Sequence, residues 1–392
     1  MMMDFDAARD RRGLGTAKWD GMYRATGVSA PDAISMWIAD MDFAPPDILQ
    51  EAVQALHDNG AYGYFTGQAV YHEAVAKWMR DRHGWEVELP AIFSTHGLGN
   101  AIGLCLHAFT RPGDEVIVFT PVYHEFLGKI RRGGRVPHES RLTIRDGVYA
   151  MNLAELGERL TGREKAVLFC SPHNPAGRVW TVAEQRELAT FCVRHDLILI
   201  ADEIHHDLVY SGYRHIPMPV AAPEAADRLV MLTAASKTFN IAGARIGNVI
   251  VPNPELRRRF DAVMEALDIQ PNLFGTRMAQ AVYSSCGADW ADRLVEYIED
   301  NATLFLKGAA EIPGVRPMPM QATYLAWVDF ADTGIEMSDV IRRVKEDARL
   351  APGVGTDFGA GGETFLRFNL GMPRARVAEA VSRLKKAFSV SP

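Results

Sequence analysis

The stretch that most restricts the fold is Leu197-Ile-Leu-Ile-Ala-Asp202, five apolar residues closed by a carboxylate. A strand wetted on one face would alternate; an unbroken apolar run reads as the central strand of a parallel sheet covered on both faces. Open α/β sheets bind ligands beyond the carboxyl ends of their strands, so Asp202 stands where such a fold does its chemistry. Two further runs follow the same plan. Ala166-Val-Leu-Phe-Cys170 leads into Ser171-Pro-His-Asn-Pro-Ala-Gly177 and so carries Asn174 to a strand end. Arg228-Leu-Val-Met-Leu-Thr233 leads into a stretch of small, hydroxylated and glycine residues that holds Lys237, and Ile246-Gly-Asn-Val-Ile-Val251 reads as the next strand.

The residues delivered in this way suit a flat, phosphorylated aldehyde. A lysine among apolar walls loses hydration of its charged form, which lowers its pKa and leaves an amine able to form a Schiff base; a lone Lys237 would more simply be a solvated loop residue. The Asp202 carboxylate could pair with a pyridinium nitrogen, and the Asn174 amide could donate to a phenolate oxygen. Arg245, eight residues after Lys237, offers a planar fork for a phosphate. Ala91–His96 reads as a strand, Gly97-Leu98-Gly99 as a turn and 100–109 as a buried helix, whose first amides form an anion site. The run Gly-Leu-Gly-Asn-Ala-Ile-Gly is one residue too long for a dinucleotide fingerprint. Tyr123, after the strand Glu115-Val-Ile-Val-Phe119, could stack on a flat ring. Arg367 lies between Leu366 and Phe368 in a predicted strand, where a cation needs a partner: an internal salt bridge or a bound carboxylate. Asp202-Glu-Ile-His-His-Asp207 also has the residue types of a metal site, though its spacing is poor and the reading favours no metal.

In order and spacing, the N-P-x-G at 174–177, the D-E-I-H at 202–205 and the S-K-T-F-N-I-A-G at 236–243 followed by Arg245 resemble the fold-type I pyridoxal-phosphate enzymes of the aminotransferase class I/II family. Arg11-Arg-Gly13 with Lys18-Trp-Asp20, Trp37-Ile-Ala-Asp-Met-Asp-Phe43 and Tyr62-Gly-Tyr64 resemble its MalY/PatB-type cystathionine β-lyases, or carbon–sulfur β-lyases. The resemblance implies pyridoxal 5'-phosphate joined to Lys237, its ring nitrogen on Asp202 and its ring oxygen on Asn174. It implies cofactor contacts from Gly97, Leu98, Tyr123, Ser236 and Arg245, and from His205, where many aminotransferases carry a tyrosine. Tyr64 is expected to reach the cofactor phosphate of a second subunit, which implies a homodimer with shared active sites. Arg367 would hold the substrate carboxylate, with Ala39 and Asp40 nearby; His124 reads equally as a substrate contact or a surface histidine. The implied reaction is α,β-elimination of L-cystathionine or a cysteine S-conjugate to pyruvate, ammonia and a thiol. The catalytic core alone suits transamination equally well. A non-catalytic regulator on this fold would append a basic helix-turn-helix, for which the N-terminal 45 residues are too short and too acidic.

Composition sets the remaining bounds. The 392 residues are enough for two or three domains. A net charge of −7 argues against a nucleic-acid or anionic-membrane surface, and Arg131, Arg132 and Arg135, like Arg257 to Arg259, read as solvated helix faces. The four cysteines lack paired spacing and three sit in apolar runs, as in a reduced cytoplasmic protein. No signal core and no stretch of ~18 apolar residues is present. The expected organisation is an extended arm over 1–45, a large cofactor-binding domain over 46–287 and a small α+β domain over 288–392, the last with a glycine-rich loop over 352–362 and a closing helix over 374–388.

Overall fold

The computed structural model describes residues 3–389. Residues 1, 2 and 390–392, the ends of the expected arm and small domain, lie outside the described residues. Among those described, the α/β architecture rests on a seven-stranded sheet in the order Ile92–Thr95, Gly247–Ile250, Leu229–Thr233, Ile198–Asp202, Glu164–Cys170, Glu115–Thr120 and Val136–Arg141. Only Gly247–Ile250 runs antiparallel to its neighbours. The apolar run that opened the sequence is the middle strand, with Leu199, Ile200 and Ala201 fully buried. Its register with Glu164–Cys170 sets Asp202 opposite Cys170. Four residue stretches therefore leave the sheet along one edge, after Thr95, Thr120, Cys170 and Asp202, and a fifth after Thr233.

A second sheet orders Ile34–Met36, Leu350–Val354, Phe365–Asn369, Leu325–Asp329 and Arg316–Pro317. The long helix Ser285–Ala310, capped by the Ser284 side chain, packs against the last helix Arg374–Ser389. A hairpin, Thr143–Arg145 with Val148–Ala150, turns through Asp146-Gly147, both at positive φ as an Asp-Gly turn requires.

Several expectations change. The arm is not wholly extended: it forms the short helix Met22–Thr26, and Ile34–Met36 is a buried edge strand parallel to Leu350–Val354. The first part of the expected glycine-rich loop is strand: Gly353 and Val354 pair with Arg367 and Leu366 of the antiparallel neighbour. The helix Met337–Arg342 widens over Arg343–Asp347. Arg135 is not on a solvated helix face. It is buried after the helix His124–Arg132, donating to the Leu106 and Thr110 carbonyls and the Thr110 hydroxyl. No helix among the described residues is long and apolar enough to cross a membrane.

Candidate active site

A cavity of about 320 Å³ opens at the carboxyl ends of these strands. One end is backbone. Gly97, at φ +81°, precedes the helix Leu98–Phe109, whose start no side chain caps, so the first amides face outward with the positive end of the helix dipole. Arg245 borders the same end. It takes a left-handed conformation after the turn Ala242–Ala244, and the Asn272 side-chain amide holds that turn by donating to the carbonyls of Ala244 and Arg245. Gly247 permits the close approach: a Cβ there would stand 2.8 Å from Leu98 Cδ2. Ser236 lines the cavity between these groups and Lys237.

Asp202 is buried toward the other end, its Oδ1 accepting from the Ile204 N–H at 3.1 Å. Burial pushes its carboxyl up to about 7, partly offset by that hydrogen bond and by Lys237. A cation in contact would draw the proton off. Asn174 meets Arg367, whose Nη1 donates to Oδ1 at 3.0 Å. Since a guanidinium only donates, the Asn174 oxygen must face it, and the amide NH2 is left for the cavity. Tyr123, Cys170 and His205 also line the cavity, as do Glu125 and Lys129. His205 is buried with Nδ1 unpartnered, and burial, then Lys237 and Arg367, lower its pKa well below the ordinary value, so the ring is neutral.

The Lys237 amine donates to the Ala39 carbonyl at 2.6 Å. Burial lowers its pKa to about 8 against an opposing pull from Asp40. Arg367 is 2% exposed and carries no carboxylate partner among the described residues. Its Nη2 donates to the Trp37 carbonyl at 2.6 Å, the guanidinium lies over the Phe358 ring at 4.8 Å, and Nε has no partner. The internal salt bridge is thus absent, and a buried cation without an anion is costly until one arrives.

Some expected residues lie elsewhere. Ala39 lines the cavity, but the Asp40 carboxylate turns away to a two-pronged pair with Arg11, at 2.7 and 3.2 Å. A carboxylate aimed at a substrate carboxylate would repel it. His124 begins the helix His124–Arg132 and borders a neighbouring groove of about 610 Å³, its ring edge-on to Phe358. Tyr64 is fully exposed and does not reach this chain's own cavity. The Asp202–Asp207 segment does not converge on a metal: Asp202 and His205 face the cavity, Glu203 accepts from His215 and the Met218 N–H, and Asp207 turns to His83. His83, His206 and Asp207 do cluster, as do Glu115, His138 and Glu164. Arg82 beside Asp207, and Arg163 beside Glu115, oppose a cation in either place.

Sequence reasoning missed how the arm is held. The carbonyls of Trp37, Ile38, Ala39, Asp40 and Met41 each accept from a side chain, namely Arg367, Asn369, Lys237, Lys18 with Asn369, and Arg11 with Asn240. Lys18 is fully buried against Asp42 at 2.7 Å. The available signal was an excess of amides and cations, Lys18, Asn240 and Asn369, in otherwise apolar surroundings.

The aminotransferase class I and II family model matches residues 32–384. Cystathionine beta-lyase PatB of Bacillus subtilis is 36% identical over 99% of this chain and 100% of its own length. Protein MalY of Escherichia coli is 29% identical over 98% and 99%. Cystalysin from Treponema denticola, whose crystal structure contains a pyridoxal 5'-phosphate cofactor, superposes with a TM-score of 0.94 at 34% identity, covering 99% of each chain. A PLP-bound C-S lyase from Staphylococcus hominis, complexed with the inhibitor L-cycloserine, superposes at 0.89 with 26% identity over 98% of each.

Proposed function

The chain belongs to the aminotransferase class I and II family, and from that premise we propose that it is a pyridoxal-phosphate-dependent carbon–sulfur β-lyase acting on L-cystathionine or a related cysteine S-conjugate. The observation that carries this reading is the convergence on one cavity of the Lys237 amine, the buried Asp202 carboxylate, the Asn174 amide and an uncapped helix start beside Arg245, with the buried Arg367 bonded to Asn174 just behind the lining. The residues fit the cofactor at each end. The bare amides of Leu98 and Gly99 with Arg245 and Ser236 suit its phosphate, and Asp202 its ring nitrogen. The Asn174 NH2 suits its ring oxygen and the Tyr123 ring its face.

When bound, pyridoxal phosphate supplies an electron sink for charge developing at the substrate Cα. The chain's own groups do the rest. Arg367, held flat by Trp37, Asn174 and Phe358, grips the substrate carboxylate with its remaining donors and so turns the Cα proton toward Lys237. Lys237, with an amine near neutrality, takes that proton. Asp202 stabilises positive charge on the ring nitrogen, and neutral His205 adds no competing charge beside it. Loss of a thiolate from Cβ then completes elimination.

In this reading residues 1–45 form the arm, 46–287 the cofactor-binding domain and 288–392 the small domain. The protein is a cytoplasmic homodimer in which Tyr64, standing free of its own chain, serves the partner's phosphate site. Incubation with L-cystathionine should release pyruvate and homocysteine in equal amounts. Keto-acid exchange without pyruvate would make it an aminotransferase, and cofactor uptake without turnover of either kind would make it a regulator.

A further inference from the structure

Outside the lining of the cavity lies a buried carboxylate that the proposed chemistry does not use. Asp207 is five residues past Asp202, and its side chain is entirely out of solvent. Oδ1 accepts from Trp78 Nε1 at 3.1 Å and pairs with His83 Nε2 at 2.9 Å, with Arg82 Nε at 3.6 Å. These three partners come from the last two turns of the helix Gln68–His83. Oδ2 accepts from the hydroxyl of Thr238 at 2.9 Å, with His206 at 3.4 Å. Burial works against the charge, yet His206, His83 and Arg82 hold the carboxyl well below its usual range, so it stays ionised.

Thr238 is fully buried and adjoins Lys237. On the far side of the lysine loop, Asn240 is tied to the arm by bonds with the Met41 N–H and the Met41 and Phe43 carbonyls. The turn that follows Lys237 is therefore anchored twice, to the arm through Asn240 and to the segment carrying Asp202 through Thr238. Only the second anchor connects the lysine to the same short segment that presents the Asp202 carboxylate.

We propose that Asp207 is a positioning residue which, through the Thr238 hydroxyl, sets where the Lys237 amine stands relative to Asp202. A charged acceptor gives a shorter and stronger bond than a neutral one, and its bonds from Trp78 and His83 leave it little freedom to follow a drifting loop. The inference rests on Lys237 bearing the cofactor, but not on whether elimination or transamination follows.

Thr238→Val, nearly equal in size, removes the donor and leaves the partners on Oδ1 in place; Thr238→Ala keeps the measurement open should the valine variant not fold. Thr238→Ser restores the donor. Tyr71→Phe deletes a buried hydroxyl, bonded to Asn248 at 2.7 Å, from the same helix without touching Asp207, and reports merely structural damage. In reconstituted holoenzyme, the visible band of the lysine-bound cofactor should titrate roughly one pH unit higher in Thr238→Val than in wild type. Its borohydride trapping at Lys237 should be slowed about tenfold, and kcat should fall roughly tenfold to a hundredfold with KM little changed. Thr238→Ser should recover the wild-type titration, and Tyr71→Phe should lower the thermal midpoint while leaving the titration unmoved. A Thr238→Val titration coincident with wild type, or a Tyr71→Phe shift of equal size, would overturn the proposal. A wild-type chain with no such band would overturn both it and the functional reading.

Discussion

Lys237 feels opposed pulls: withdrawal from water favours the neutral amine, while Asp40 and Asp202 favour the charged one, and the balance falls near pH 8. Only the neutral amine attacks an aldehyde, so the rate at which apoprotein joins pyridoxal phosphate should climb with pH through about 8 and level off above it. Stopped-flow absorbance across pH 6 to ~10 measures this; a limb near the ordinary lysine value would mean that the cavity does not desolvate the amine. Arg367 is the other residue whose surroundings define its work. Substituting Arg367→Lys keeps a charge but loses the flat fork, and steady-state kinetics should show KM for the amino acid raised roughly tenfold to a hundredfold, with a smaller effect on kcat. Equal KM values would remove Arg367 from substrate binding. Asp202 and Arg367 could be picked out of the sequence because each is polar at the end or middle of an apolar run, and Asn174 because its loop directly follows one. The Ala39 carbonyl could not, since any residue supplies one and only folding brings it to Lys237.

Elements explain residues that look incidental in the chain. Gly177 closes the N-P-x-G motif at φ +64°, and a Cβ there would stand 2.7 Å from the Ala322 carbonyl oxygen. Its own carbonyl accepts from the N–H groups of Gln321 and Ala322, so the loop that presents Asn174 is stitched to the chain entering the strand Leu325–Asp329. Gly177→Ala should cost about 1–3 kcal/mol of stability from backbone strain alone. It should also weaken cofactor retention by moving Asn174, and thermal melts with and without added pyridoxal phosphate would read both. The buried strands and the capped or proline-led helices were legible because their patterns are local. The helix Gln68–His83 was not, because its buried residues Tyr71, Val75, Trp78, Met79 and His83 are interleaved with charges and include a histidine. The edge strand Ile34–Met36 was hidden for a related reason: three residues carry too little periodicity, and their partner is more than 300 positions away in the chain.

For the whole molecule, the two sheets and the arm meet around one cavity, and the loop at 60–67 contributes no residue to its lining. Tyr64 stands free while Tyr62 stacks on Phe274 at 5.8 Å. If Tyr64 serves a second copy, Tyr64→Ala and Lys237→Ala are defective in different chains' contributions. Mixing the two, after unfolding and refolding together, should regain about a quarter of wild-type activity from hybrid dimers with one intact site. No regain, with hybrids verified by mass, would show that each chain works alone. The central claim is that the Lys237 amine is the group on which this cavity is built. Borohydride reduction of the protein with pyridoxal phosphate, followed by peptide mapping, tests it most directly. The account predicts a single pyridoxyl adduct on the peptide containing Lys237, absent in Lys237→Ala; an adduct on another lysine, or none, would contradict it.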